Sequence, residues 1–267
     1  MNRTVTASLE VNVLAPARLA VQVAVADPDG YRADETITMT LDDHGVQWSQ
    51  LGAPHSGRIW LVDAGPGVLR VDYRATLTAS PEAPPADAVE ELLYLRPSRY
   101  CESDRLIGFA SRHFRDINEP HDVLAAVSSW VGTQLEYVSG SSGPTDGAVD
   151  TLLAARGVCR DYAHLAVALL RAMEIPARLV AVYAPGLSPM DFHAVAEACL
   201  DGAWYVVDGT LLAPRQSLVR IATGRDAADT SFLSSYGAPV ILGPMTITAT
   251  VEGDLPIDDV RALAQLR

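Results

Sequence analysis

The apolar positions of this chain alternate at first, take a helical spacing beyond a linker, and alternate again toward the carboxy terminus. Between residues 4 and 80 they alternate over short runs. Thr4–Val13 alternates in part, and Leu19–Ala26 is a small apolar run that ends at the turn cluster Asp27-Pro28-Asp29-Gly30. In Glu35–Leu41, Ile37, Met39 and Leu41 share one face, and Thr36, Thr38 and Thr40 share the other. Val46–Leu51 and Arg58–Val62 follow. Then comes Val68–Thr78, with Val71, Tyr73, Ala75 and Leu77 on one face. Short alternating runs separated by turn residues predict a β-sandwich or small barrel. Residues 80–99 are rich in proline and acid at their start and read as a linker with an entry segment at Glu90–Leu95. The expected division is a β-rich domain with its linker at 1–95 and a second domain at 96–267.

Beyond the linker the spacing becomes helical. Leu106, Ile107, Phe109 and Ala110 predict a helix over 103–115. Pro120 opens another, with Val123, Leu124, Val127, Trp130 and Val131 on its stripe. A short apolar segment, Thr151–Arg156, is expected to end at Gly157. Tyr162, Leu165, Ala166, Leu169, Leu170 and Met173 then fall at spacings of three and four, and Pro176 stops the pattern near residue 174. A strand follows at Ala177–Tyr183, and the loop Pro185–Pro189 is expected to wall a cleft. Val240–Val251 alternates and is expected to extend the second sheet. Ile257–Leu266 reads as a short surface helix. The fold class is α+β.

The candidate chemistry sits between residues 157 and 210. Cys159 falls in or just before the first turn of the apolar helix. Unpaired N–H groups and the positive end of the helix dipole lie there, and both favour the nucleophilic thiolate. Asp201-Gly202 between two apolar runs predicts a hairpin with a two-residue type I′ turn. In that register Leu200 faces Ala203 and Val195 faces Asp208. His193, two residues from Val195, is then the diagonal neighbour of Asp208 on the same face, within side-chain reach. A one-residue slip would part them. Asp161 and His164 do not point with Cys159 and read as structural polar contacts. His44 and His55 read as surface residues. The Gly/Ser-rich loop at 139–147 lacks the lysine of a phosphate-binding loop and the spacing of a nucleophile elbow.

Three blocks carry a resemblance: GVCRDYAHLAVALLRAMEIPAR, DFHAVAEA and WYVVDGT. They resemble the transglutaminase-like superfamily, and within it the bacterial transglutaminase-like cysteine proteases, over roughly residues 95–240. The resemblance implies an amino-terminal β domain followed by a papain/transglutaminase-like α+β catalytic domain. It implies Cys159 as nucleophile, His193 as base and Asp208 as the group that orients the histidine. A side-chain donor near Tyr137 would help hold the oxyanion; the other reading of Tyr137 is a buried core residue. Gly209 and Val195 depart from the family pattern, which often has proline or alanine, and an aromatic residue, at these positions. The segment Gly224–Asp229 also resembles this branch and reads as structural, with a substrate-facing Arg225 as the alternative.

The implied activity is acyl transfer through a thioacyl intermediate, with hydrolysis of a peptide or amide bond favoured over transglutaminase-type cross-linking. Two other readings stand beside it. One is a catalytically silent binding module. The other is a metal site on Cys159, His193 and Asp208, for which no fourth ligand is evident. No metal or other cofactor is expected. The formal net charge of −13 disfavours nucleic acid and anionic membranes as partners. Three cysteines without close pairing argue against a disulfide framework; Cys101 and Cys199 have no assigned chemistry. The amino terminus has no basic-then-apolar leader pattern and no run is long enough to span a membrane, so the expected location is cytoplasmic.

Overall fold

The computed structural model describes residues 1–27, 33–78, 83 and 85–266. The turn expected at Pro28–Gly30 and part of the linker lie outside them. The amino-terminal third forms seven strands: β1 (Arg3–Val13), β2 (Ala17–Val21), β3 (Ala33–Leu41), β4 (His44–Gly45), β5 (Trp48–Gly52), β6 (Arg58–Ala64) and β7 (Gly67–Leu77). Then come α1 (Ala88–Leu93), α2 (Ser103–Phe114), α3 (Pro120–Gln134), β8 (Glu136–Tyr137), α4 (Ala148–Ala154), β9 (Arg156–Gly157) and α5 (Cys159–Ala172). The chain continues through β10 (Ala177–Tyr183), β11 (Phe192–Leu200), β12 (Ala203–Val207), β13 (Val219–Gly224), β14 (Leu233–Tyr236) and β15 (Val240–Val251).

Two sheets, ordered β15-β1-β7-β3-β4 and β14-β2-β6-β5, enclose one apolar core. In β1 buried residues alternate with more accessible ones, as a strand with one face on a core requires. A third sheet, β12-β11-β10-β13, packs against α5. That helix buries Leu165, Leu169 and Leu170 completely. Each such side chain contributes about 1.5–3 kcal/mol on leaving water.

Two expectations for the carboxy-terminal region are corrected. β15 does not extend the third sheet. It pairs antiparallel with β1 over Arg3↔Val251 to Val13↔Val240, and β14 likewise pairs with β2. Its alternation specified a half-buried strand but not its partner, because pairing is a long-range choice. The segment after β15 is not helical. It crosses to the third sheet, where the Val206 N–H donates to the Ala264 carbonyl and Leu266 is buried. Arg215 fastens this strap by hydrogen bonds to Asp258 and to the Asp259 and Ala262 carbonyls.

His55 is also corrected. It is packed between Tyr94, whose Oη lies 2.7 Å from its Nε2, and Arg178. Burial, with the nearby Arg178 and Arg220 charges, pushes it down to about 4. These arginines flank the fully buried Glu197, with Arg178 stacked 3.8 Å from the centre of the Trp204 ring. Among the described residues no helix is long and apolar enough to cross a membrane.

Candidate active site

The Asp201-Gly202 turn has φ of 52° and 74°, the paired positive values of a type I′ turn. The ladder runs from Leu200↔Ala203 to Ala196↔Val207, so the next pair in register would be Val195 and Asp208. This local turn chemistry carries His193 and Asp208 to one place. Their side chains meet with His193 Nε2 and Asp208 Oδ2 3.0 Å apart, both almost fully buried. Asp208 Oδ1 accepts from the N–H and the hydroxyl of Thr210, each at 2.8 Å. The Ser128 hydroxyl holds the Asp208 carbonyl from α3. The threonine of Asp-Gly-Thr therefore fixes the carboxylate that holds the imidazole.

Burial alone would favour the neutral imidazole. The Asp208 charge and hydrogen bond, and the adjacent Cys159 side chain, outweigh it and raise His193 well above its ordinary value. Burial raises Asp208, but the imidazole and the Thr210 hydrogen bonds bring it below the usual carboxylate range. With Nε2 committed to Asp208, Nδ1 is left for the thiol. It makes no hydrogen bond of normal geometry among the described residues, although the ring lies within electrostatic range of the sulfur.

Cys159 is the first residue of α5 and is partly accessible. Asp161, two residues on, is 1% exposed. Its Oδ2 accepts from the Val158 N–H at 2.8 Å, and its Oδ1 from Ser142. This is the N3 carboxylate of a helix start, so Asp161 positions the turn that carries the sulfur. Gly157 has a different role from the one expected. Ala155, at φ 52°, ends α4 instead. A Cβ on Gly157 would lie 2.5 Å from that of Asp161, so the glycine admits the capping carboxylate.

Tyr137 is not a buried core residue: it is 44% exposed. The parallel bridge β8–β9 pairs it with Gly157 and brings its phenol beside Cys159. Burial and the neighbouring sulfur push the phenol up to about 12. At neutral pH it is therefore an O–H donor next to the sulfur.

His164 lies fully buried on α5, stacked on Tyr100, and its Nε2 accepts from the Ala227 N–H at 3.1 Å. Burial pushes it down to about 3, so it is neutral. Arg225 is spent on Asp229 at 2.9 Å. Ala227 and Ala228 line the cleft, whereas Arg225 does not.

Cys159 and His193 open into a cleft of about 550 Å³. Its wall is formed by Asp191 and Phe192 rather than by the expected loop 185–189. Gln22, Phe232, Ser234 and Met245 also line it. The sequence offered no signal for these four, because the packing of distant strands brings them there. Among the described residues no group of three or more His, Cys, Asp or Glu side chains is placed to hold a metal ion.

Comparisons with known proteins bear on the family and the fold. The profile of the transglutaminase-like superfamily matches residues 108–209. A solved structure from Cytophaga hutchinsonii, described as a candidate cysteine protease, superposes with a TM-score of 0.89 at 30% identity. It covers 98% of this chain and 96% of its own. An uncharacterised protein of Mycobacterium leprae is 27% identical over 146 residues, 51% of this chain and 51% of the relative. One of Mycobacterium tuberculosis is 35% identical over 96 residues, 36% of this chain and 30% of the relative. The matched stretch thus spans about half or less of these curated relatives. With a matching profile over the Cys–His–Asp segment and a solved relative alike over nearly its whole length, this chain belongs to the transglutaminase-like superfamily.

Proposed function

We propose that the protein is a thiol-dependent acyl-transfer enzyme that hydrolyses a peptide or amide bond through Cys159, His193 and Asp208. The observation that carries this reading is the His193–Asp208 hydrogen bond, buried beside a cysteine that starts a helix at the wall of a cleft. His193 takes the proton of Cys159, and the sulfur attacks the carbonyl carbon. The tetrahedral oxyanion is held by the Cys159 main-chain N–H at the helix start and the Tyr137 hydroxyl. When the C–N bond breaks, His193 returns its proton to the departing amine, leaving a thioester on Cys159. Water, losing a proton to His193, attacks the thioester. The carboxylic acid leaves and the proton returns to sulfur. Asp208 keeps the imidazole oriented and offsets its charge throughout.

If an amine replaces water in the second half, the product is a new amide. The chain contains no lysine, so a lysine acceptor would have to come from another molecule. The partner this reading requires is a peptide or amide substrate.

An activity-based acylating probe tests the assignment. Labelling is expected at Cys159, absent in Cys159→Ala, and slowed about 100-fold or more in His193→Ala. Equal labelling rates in wild type and His193→Ala would remove the base from the mechanism.

A further inference from the structure

Besides His193, the charged side chains that line the cleft are Arg160 and Asp191. Arg160 follows Cys159 and Asp191 lies two residues before His193, and each is engaged locally. Arg160 Nη2 donates to Ser142 Oγ and the Gly143 carbonyl. Asp191 Oδ1 accepts from the Phe192 N–H at 2.7 Å. Away from them the lining is Leu179, Ala181, Ile221, Phe192, Phe232 and Met245, with uncharged polar groups such as Gln22 among them. Leu179 and Ile221 are 1% exposed and form a floor from the third sheet. Phe192 precedes the base and stacks on Phe232 with ring centres 5.2 Å apart. Phe232 is held in turn by the Gln22 N–H, which donates to its carbonyl at 2.9 Å. Met245 comes from β15, where it pairs with Leu9 in the amino-terminal sheet. The wall is therefore preformed, apolar and built by both ends of the chain.

We propose that this recess binds the substrate side chain adjoining the attacked carbonyl, and that it selects an uncharged apolar side chain of leucine or phenylalanine type. Met245 and Phe232 set that preference. This rests on Cys159 being the acylated nucleophile. A carboxylate or ammonium placed against the apolar part of this wall would lose its water among uncharged side chains, while Arg160 is already paired with Asp161 and Asp191 holds the Phe192 N–H. An aliphatic or aromatic group gains by leaving water and touching Leu179, Ile221 and the Phe192–Phe232 pair. The amino-terminal strands thus take part in choosing substrate, through Gln22 and through the β15 strand that β1 holds.

The full-length protein is treated with peptidyl acyloxymethyl ketones identical except for leucine, phenylalanine, alanine, glutamate or lysine next to the reactive carbonyl. Second-order labelling rates are divided by the iodoacetamide rate of the same variant, which reports the thiol without the recess. The leucine and phenylalanine probes are expected to react about 10-fold or more faster than the alanine, glutamate and lysine probes. Met245→Lys is expected to lower the leucine-to-glutamate ratio about 10-fold. Phe232→Ala, which adds no charge, is expected to lower the leucine-to-alanine ratio and serves if Met245→Lys does not fold. Flat rates across the panel, with iodoacetamide labelling still dependent on His193, overturn the recess and leave the nucleophile standing. Iodoacetamide labelling of Cys159 that is indifferent to His193→Ala overturns the nucleophile reading and the recess with it.

Discussion

Two single residues decide how well the site is held. Gly132 on α3 faces the Asp208–Thr210 turn, and a Cβ there would lie 2.4 Å from the Gly209 carbonyl oxygen. Because that contact is main chain, it cannot be relieved by turning a side chain. Gly132→Ala is expected to cost about 1–3 kcal/mol in chemical denaturation. It is also expected to slow Cys159 labelling by displacing Asp208. Unchanged stability and labelling would mean that the turn yields freely. His164 sets a pH dependence. Burial lowers it from 6.5 to about 3. Between these values the unfolded chain holds a proton that the folded chain does not. The His164 contribution is therefore complete above 6.5, falls as the pH drops below it, and stops falling near 3. The contribution is about 1.4 kcal/mol per pH unit inside that window. Thermal melts across it are expected to show a shallower slope for His164→Gln than for wild type.

Among the elements, the β11–β12 hairpin and the start of α5 share the work of assembling the site. The hairpin fixes which residue meets Asp208, and its turn needs positive φ at two positions in a row. Gly202 sits at φ 74°, a conformation that costs a β-branched residue about 1–2 kcal/mol. Gly202→Val is expected to lower the urea midpoint accordingly, while a one-residue insertion in the turn is expected to abolish His193-dependent labelling. A loss of stability without loss of labelling after that insertion would show that register does not set the His193–Asp208 contact. At the helix, Asp161 caps the turn that presents the sulfur, and the β8–β9 bridge brings Tyr137 to the same point. The periodicity that located α5 left Asp161 as a polar contact without a partner. Its partners are the Val158 N–H and the Ser142 hydroxyl, which periodicity does not reveal.

For the molecule as a whole, the ends of the chain close on each other. β15 lies beside β1, so the amino-terminal sheet is completed by residues far along the sequence. The strap after it returns to the third sheet through Arg215 and Leu266. Removing residues 240–267 would strip Ile247, Ala249 and Leu266 from the two cores they help fill and leave β1, paired only with β7, as the edge of its sheet. The truncated chain is expected to lose its cooperative thermal transition. A sharp melt close to that of the full chain would mean that the strap and β15 are accessory.

What the sequence alone determined was local. Alternation placed β1, β3 and β7, the three-and-four spacing placed α2, α3 and α5, and Asp201-Gly202 set the register that joins His193 to Asp208. Each follows from backbone geometry within about a dozen residues. Tertiary structure decided what distant segments do to one another. It chose β1 as the partner of β15, turned the final segment into a strap, packed His55 between Tyr94 and Arg178, and brought Gln22, Phe232 and Met245 to the thiol cleft. Periodicity says that a face will be covered and leaves open what will cover it, because apolar burial is non-directional and many strands would satisfy it. The partner is settled only when the whole chain packs.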